Sequence, residues 1–561
     1  MPHPNTPRSG GQILADQLRI HGTELIFGVP GESYLGLLDG LLAHADTMRF
    51  ITCRHEGGAA NMAEAHGKLT GRPGVCAVTR GPGASHAAIG VHTAQQDSTP
   101  MILLVGQVER AALEREGFQE VNYQRMFADS AKWVGEILDP RRIPEYVNRA
   151  FCLATSGRPG PVVLSLPEDV LTEVVTVPDA LCFQPVQASP GSRQMQELEQ
   201  MLRQARRPLM IVGGGTWCSE AKAGIEAFAR AWNLPVAASY RCQDYVDNRM
   251  DQYVGHLSTG TDAALTQAVR DCDLVIAAGP RLGEITTAGF TLFTIPVPRQ
   301  RLVHVHPGSE ELNHIYQPAL AINAGLSLFA ERARALQPGG LCPWDTWTSE
   351  LRAAYRATLV PRPSSAALDM ARVIGHLQQV LPDDAILTNG AGNYTAWLHR
   401  YFQYSGWRTQ LAPTSGAMGY GVPAGVAAAI AFPDRTVVSI NGDGCFLMYG
   451  QELATAMHYR VAPIFLVVNN GMYGTIRMHQ ERHYPAREIA TALTNPDFAA
   501  FARSFGAHGE VVTTYAEFPA AFERARRAGK AALIELQVDP DAITPLLSLM
   551  QIRTNSLKAK E

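Results

Sequence analysis

RTVVSINGDGCFLMYGQELATAMHYRVAPIFLVVNN, residues 435–470, decides the fold. An apolar run, residues 437–440, ends in Asn441-Gly442-Asp443-Gly444. A helical pattern over residues 450–458 returns the chain to a second apolar run, residues 464–468, closed by Asn469-Asn470. Two buried-type strands joined by a helix make one βαβ unit. Both polar clusters then leave the C-terminal edge of a parallel sheet, where open α/β sheets bind ligands. Asp443 offers a carboxylate oxygen and Asn470 an amide oxygen, hard ligands suited to Mg²⁺. The glycines flanking Asp443 let backbone N–H groups approach a diphosphate with no Cβ in the way. Taken singly, GDG and NN read more readily as turns that close strands. Here they stand 27 positions apart, from 443 to 470, each at a strand end.

Outward from this unit the same rhythm fills the chain, with short apolar runs alternating with helical stretches, the pattern of parallel α/β layers. Three domains are expected, at residues 11–176, 190–340 and 364–547, each a largely parallel sheet flanked by helices. ELIFGV, RFITC, GVCAVT, MILLVG and GPVVLSL supply strands to the first. PLMIVGGG, PVAAS, LVIAAG and RLVHVHP supply the second, and AILTNG, RTVVSING, APIFLVVNN and AALIELQV the third. Pro-rich residues 177–190 and Pro/Gly-rich residues 337–343 read as links between them. The first and third blocks share size and rhythm. Residues 1–11 read as a frayed lead-in to the first helix. Residues beyond Leu547, ending in Lys558, Lys560 and Glu561, read as a mobile tail.

Composition narrows the function. At 561 residues, 46% hydrophobic and 18% charged, the chain reads as an ordinary globular protein with several cores. A net charge of −4 with no basic stretch gives no footprint for nucleic acid. No apolar run has the length to cross a membrane. The nine cysteines are scattered without a CxxC pair, which argues against a disulfide framework or a structural zinc site and fits a reducing cytoplasm. Cys445, the one cysteine inside a motif, reads as a small packed residue.

RFITC leads into Arg54-His55-Glu56-Gly57-Gly58-Ala59-Ala60, so Glu56 opens a helix of small residues at a strand end. An acid there is ordinarily a partner for the helix dipole. Together, RHEGGAANMAEA, the Asp443 and Asn470 clusters, and Pro413-Thr414-Ser415-Gly416-Ala417-Met418-Gly419-Tyr420-Gly421 resemble the thiamine-diphosphate (ThDP) dependent decarboxylases and carboligases. The resemblance implies a ThDP-binding fold with a central Rossmann-like domain. It implies that Asp443, Asn470 and the Met472 carbonyl hold Mg²⁺, and that backbone at Gly442, Gly444, Cys445, Gly392 and Asn393, with Tyr473, receives the diphosphate. Met418 would support the folded cofactor and the Gly416 carbonyl would accept its amine. Glu56 would hydrogen-bond the pyrimidine ring and make the thiazolium carbon acidic, a task that needs dry surroundings. In this family one cofactor is served by two subunits, so a homodimer or homotetramer is implied.

Within the family the resemblance runs to the acetolactate synthase catalytic subunits. It rests on FGVPGESYLGLLDGL, GPGASHAAIG, DSTPMILLVGQV, GFQEV, SGRPGPVVLSLPEDV and QELATAMHY. It implies 2-keto acid substrates, with pyruvate as donor, and decarboxylation followed by carboligation. Gln119 and Lys132 would line the substrate channel, with Phe118 beside them. Two positions depart. His479 stands where that branch has a substrate-selecting tryptophan, and Glu32 replaces a glycine in the family's GYPGG turn. Glu32 is thereby a candidate proton donor, as an acid is in the simple keto-acid decarboxylases. FAD-binding members carry Arg-Phe-Asp-Asp-Arg in the middle domain. This chain has Gly279-Pro280-Arg281-Leu282-Gly283-Glu284, so the Gly213-Gly214-Gly215 turn alone leaves FAD in doubt. A regulatory small subunit, a non-ligating decarboxylase that releases an aldehyde, a catalytically silent binding subunit and a flavin oxidoreductase all stay open.

Overall fold

The structure, a computed structural model, describes residues 6–559. The chain divides into two compact units, residues 1–187 and 188–561. The first unit carries one six-stranded sheet and the second carries two. Every strand pair within these sheets is parallel.

In the first unit the strands run, across the sheet, Arg49–Thr52, Leu25–Gly28, Gly74–Val78, Met101–Gln107, Pro161–Pro167 and Trp133–Glu136. Numbered along the chain this is 2-1-3-4-6-5. The C-terminal sheet has the same order, from Gln410–Leu411 through Ile386–Asn389, Val437–Gly442, Ile464–Asn469 and Ala532–Gln537 to His508–Val512. The shared rhythm of these two blocks is thus a shared topology. The middle sheet runs Tyr253–His256, Val236–Ala238, Pro208–Val212, Leu274–Ala278, Arg301–His306 and Leu320–Asn323. Its order, 3-2-1-4-5-6, is that of a Rossmann sheet. The chain is an α/β protein of three parallel sheets flanked by helices.

The central strands are continuous apolar runs because helices cover both faces of each sheet. Val437–Gly442 is buried along its whole length. Five strands absent from the apolar reading are all edge strands: Trp133–Glu136, Tyr253–His256, Leu320–Asn323, Gln410–Leu411 and His508–Val512.

Both ends of the described residues differ from the sequence expectation, whose first part, residues 1–5, lies outside them. Arg8–Ser9 pairs with Val174–Val175, and Ser9 caps a helix that already begins at Gly10. The stretch after Leu547 is a helix, Leu549–Lys558, opened by a capping box at Ser548. Its Leu549 and Ile552 pack with Met478 and Ile543, so it is anchored rather than mobile. Lys560 and Glu561 lie outside the described residues. Residues 177–183 are strapped to the first unit: Val177 and Asp179 accept hydrogen bonds from Arg8, and Phe183 N–H donates to His21.

Candidate functional site

In the C-terminal sheet the chain order reverses between Ile386–Asn389 and Val437–Gly442. Beyond their carboxyl ends lies the crevice that such a reversal opens. The first strand delivers Gly390 to Tyr394 there, and the second delivers Gly442 to Cys445. Cys445 Sγ accepts from Gly419 N–H at 3.0 Å and from the Tyr394 hydroxyl at 3.3 Å. A Cβ on Gly390 would stand 2.5 Å from that sulfur. The buried thiol therefore fastens three segments of the rim, a packing role consistent with its reading as a small core residue.

Asp443 opens a one-turn helix, Asp443–Phe446, and is 3% exposed. Its Oδ1 accepts from Gly444 N–H at 2.8 Å; its Oδ2 accepts from Gly471 N–H at 2.9 Å and from Asn495 Nδ2 at 2.8 Å. Among the described residues no Lys, Arg or His pairs with it. Burial pushes its carboxyl above the usual range, and the three N–H donors only partly offset this. Asn470 Oδ1 accepts from Met472 N–H at 3.2 Å, and the Met472 carbonyl accepts from Gly474 N–H at 2.9 Å. Buried carboxylates are ordinarily paired or coordinate metal. Asp443 lacks the pair, and its oxygen-rich company fits a hard divalent cation.

Asn495 escaped the sequence reading. Besides Asp443 it donates to Asn469 Oδ1 at 2.9 Å, and its own buried Oδ1 has no partner among the described residues. The segment around it zips onto the Asn470 loop: Leu493 N–H donates to the Gly471 carbonyl, Tyr473 N–H to that of Thr491, and Met472 bridges Ala492. It carries no motif, so only the fold reveals it.

The remaining expected residues fall around this loop. Tyr473 precedes the helix Gly474–His483, and a Cβ on Gly444 would stand 2.6 Å from its ring. Gly416 is exposed, with φ +69° and open space where a Cβ would be. Met418 packs half-buried against the C-terminal core. Asn393 N–H donates to Thr475 Oγ1, which returns a bond to Asn393 Oδ1. Gly392, Asn393, Thr475 and exposed His479 line a cavity of about 460 Å³. Burial, with Arg482 and His483 nearby, holds His479 below the ordinary histidine range.

In the first unit Glu56 begins the helix Glu56–Thr70, with its side chain 16% exposed. His55 caps that helix, its Nδ1 accepting from Gly57 N–H. Glu56 Oε2 shares a 2.9 Å hydrogen bond with His86 Nδ1, and the His55 and His86 rings stack at 4.5 Å. His86, in GPGASH, was not singled out in the sequence. A Cβ on Gly83 would stand 3.7 Å from Glu56 Oε1, so small residues leave that oxygen approachable. Gln119, at φ +65°, accepts from Gly81 N–H through its carbonyl, which brings it to the same sheet edge. Glu32 lies exposed in the turn Glu32–Tyr34, and Phe118 is 73% exposed. Lys132 Nζ donates to the Leu153 and Ser156 carbonyls at the end of the helix Ile143–Thr155.

At the reversal in the middle sheet the Gly213–Gly215 turn is closed by the chain itself. Trp217 Nε1 donates to the Gly213 carbonyl and the Tyr245 hydroxyl to that of Gly214, both at 2.8 Å. A Cβ on Gly214 would stand 1.9 Å from the Gly279 carbonyl, so these glycines serve close packing of backbone on backbone.

Comparison with known proteins follows the same division. Three family models match: "Thiamine pyrophosphate enzyme, N-terminal TPP binding domain" over residues 8–126, the central domain over 195–332, and the C-terminal TPP binding domain over 390–536. The chain is 34% identical over 530 residues to an acetolactate synthase large subunit of Parasynechococcus marenigrum, covering 91% of this chain and 84% of that protein. It is 29% identical over 542 residues to the acetolactate synthase isozyme 2 large subunit of Escherichia coli, covering 95% and 96%.

Proposed function

Since the chain belongs to the thiamine pyrophosphate enzyme family, together with the acetolactate synthase large subunits, we propose that it decarboxylates a 2-keto acid and joins the remaining fragment to a second carbonyl compound. ThDP and Mg²⁺ are its cofactors in this reading, and pyruvate is the donor. Bound ThDP would supply the carbon nucleophile and the electron sink for loss of CO₂. The observation that carries the reading is Asp443, a buried carboxylate with no cationic partner among the described residues, at the reversal of a parallel sheet.

The chain's own residues then have separable tasks. Asp443, Asn470 and the Met472 carbonyl hold the ion. Backbone at Gly442, Gly444, Cys445, Gly392 and Asn393, beside Tyr473, receives the diphosphate. Met418 and the Gly416 carbonyl position the ring system. Glu56 holds a proton at the pyrimidine, and His86 fixes one of its oxygens while leaving the other to the ring. Gln119, Glu32, His479 and Lys132 form the substrate end, with Lys132 freed for it only if it leaves the carbonyls it now caps. The domains are residues 11–176, 190–340 and 364–547. Glu56 of one subunit and Asp443 of another serve each cofactor, so the working form is a homodimer or a tetramer built from it. The protein works in the cytoplasm, and no flavin step is assigned to it.

Glu56→Gln tests the core of this reading. Turnover is expected to vanish, by a factor of about a hundred or more, while ThDP binding measured by calorimetry stays within a few-fold. Full activity in that variant would sink the proposal. Products from pyruvate, read by mass, decide ligation: acetolactate supports it, and acetaldehyde alone replaces it with simple decarboxylation.

A further inference from the structure

The cavity beside Asn393 carries a charge that the proposed reaction has not yet used. Arg241 lines it and is 7% exposed. Its guanidinium donates to the Pro413 carbonyl and lies over the Tyr240 ring, but its buried Nε has no partner among the described residues. Among the described residues no carboxylate pairs with it. Arg400, whose buried Nε is likewise unpartnered, and exposed Arg482 line the same space, against a single acid, Asp262. The histidines there add no charge at neutral pH. Burial, with Arg400 nearby, lowers His256 to about 4; burial and Arg241 hold His399 well below its ordinary range.

The fold holds Arg241 there at a cost. It adopts φ +60°, a left-handed conformation that non-glycine residues take only when their surroundings impose it. The surroundings are rigid. Gln243 N–H donates to Gln410 Oε1 and Gln243 Nε2 to the His399 carbonyl, while Asp244 Oδ2 accepts from the N–H groups of Thr409 and Gln410. Burying a guanidinium with no carboxylate partner among the described residues, at a strained position, is unfavourable unless an anion joins it.

We propose that the part of this cavity beyond the diphosphate at Gly392 and Asn393 receives the substrate and that Arg241 binds a second anionic group on it, so the preferred substrate carries a carboxylate or phosphate in addition to its keto-acid carboxylate. The inference rests on the keto-acid reading above and names the substrate class for that site. A planar guanidinium suits either oxyanion, through paired N–H donors.

Binding tests it without turnover. The full chain, loaded with ThDP and Mg²⁺, is titrated by calorimetry with butyrate, glutarate and 3-phosphonopropionate. Wild type is expected to bind one of the two doubly anionic probes at least about tenfold more tightly than butyrate. The tighter of the two identifies the second group. Arg241→Met is expected to erase the preference and Arg241→Lys to keep part of it. Should Arg241→Met fail to fold, Arg241→Lys and the rim variant Arg482→Met decide, each lowering the preference. Equal binding of all three probes by wild type, or a preference unchanged in every variant, overturns the inference. In turnover, Arg241→Lys is expected to raise KM for a doubly anionic partner by a larger factor than it raises that for pyruvate. Loss of all keto-acid chemistry in wild type counts instead against the parent reading, because calorimetry reports the anion site separately.

Discussion

A carboxylate surrounded only by N–H dipoles is unfavourable inside a protein until a cation joins it, and Asp443 is so placed. Its carboxyl is raised by burial, so its contribution to stability is complete below the ordinary carboxyl range and lost as pH rises through the raised value. An ionised Asp443 in the metal-free protein is therefore a charge that the fold disfavours. Asp443→Asn is expected to raise the thermal midpoint of metal-free protein near neutral pH, the gain shrinking on acidification. The same variant should lose the upward shift that Mg²⁺ with ThDP gives wild type, which mass action makes about 2.7 kcal/mol at a hundredfold excess over Kd. Melting curves with and without cofactors at two pH values read both effects; a wild-type-sized shift in the variant would remove Asp443 from the metal site. Asp443 could be nominated from sequence because strand, glycine and acid stand adjacent in the chain. Asn495 and Arg241 could not, since each acquires meaning from a neighbour far away in sequence.

At the scale of elements, what the sequence hides follows from where apolar periodicity is weak. Central strands are buried on both faces and read as unbroken apolar runs; an edge strand has one free side and tolerates polar residues. His508–Val512 (HGEVV) and Gln410–Leu411 accordingly carry no apolar signature. The terminal helix Leu549–Lys558 has only Leu549 and Ile552 buried, too few to suggest an anchored element. A polar contact adds to that apolar anchor. Arg553 Nε and its terminal nitrogen each donate to Glu481 at 2.7 Å, and the Glu481 side chain is fully buried. Glu481 sits on Gly474–His483, the helix that presents Thr475 and His479 to the cavity. Arg553→Met is expected to cost about 1–3 kcal/mol, with Arg477 at 3.1 Å retaining part of the pairing. The hydrogen bond from Arg553 holds Glu481 below the usual range, so this stabilisation is present above that range and fades as pH falls through the lowered value. Thermal melts across acidic and neutral pH should show the difference between variant and wild type closing on acidification. A constant difference would mean that packing, not the ion pair, holds the helix.

The whole molecule repeats one topology. The N-terminal and C-terminal sheets share the order 2-1-3-4-6-5, and each places a motif beyond its strand ends: Glu56 in one, Asp443 in the other. Neither motif suffices for the proposed reaction. A carboxyl that handles a proton needs a ring to hand it to, and a metal site that holds a diphosphate does not activate a carbon. If each cofactor takes its glutamate from one subunit and its metal site from another, the two functions can be separated genetically and recombined by mixing. Glu56→Gln and Asp443→Asn would each be inactive alone. Unfolded or dissociated together and reassembled, half of randomly formed dimers would be mixed. Each mixed dimer would hold one site with both residues intact and one with both replaced. Recovery of roughly a quarter of wild-type activity is expected, rising and falling with the mixing ratio and greatest at equal amounts. Mixing without exchange of subunits should recover nothing, which controls for contamination. If both residues of a site came from the same chain, no ratio would restore activity, and the shared-subunit arrangement would have to be given up while the assignments of Glu56 and Asp443 remained.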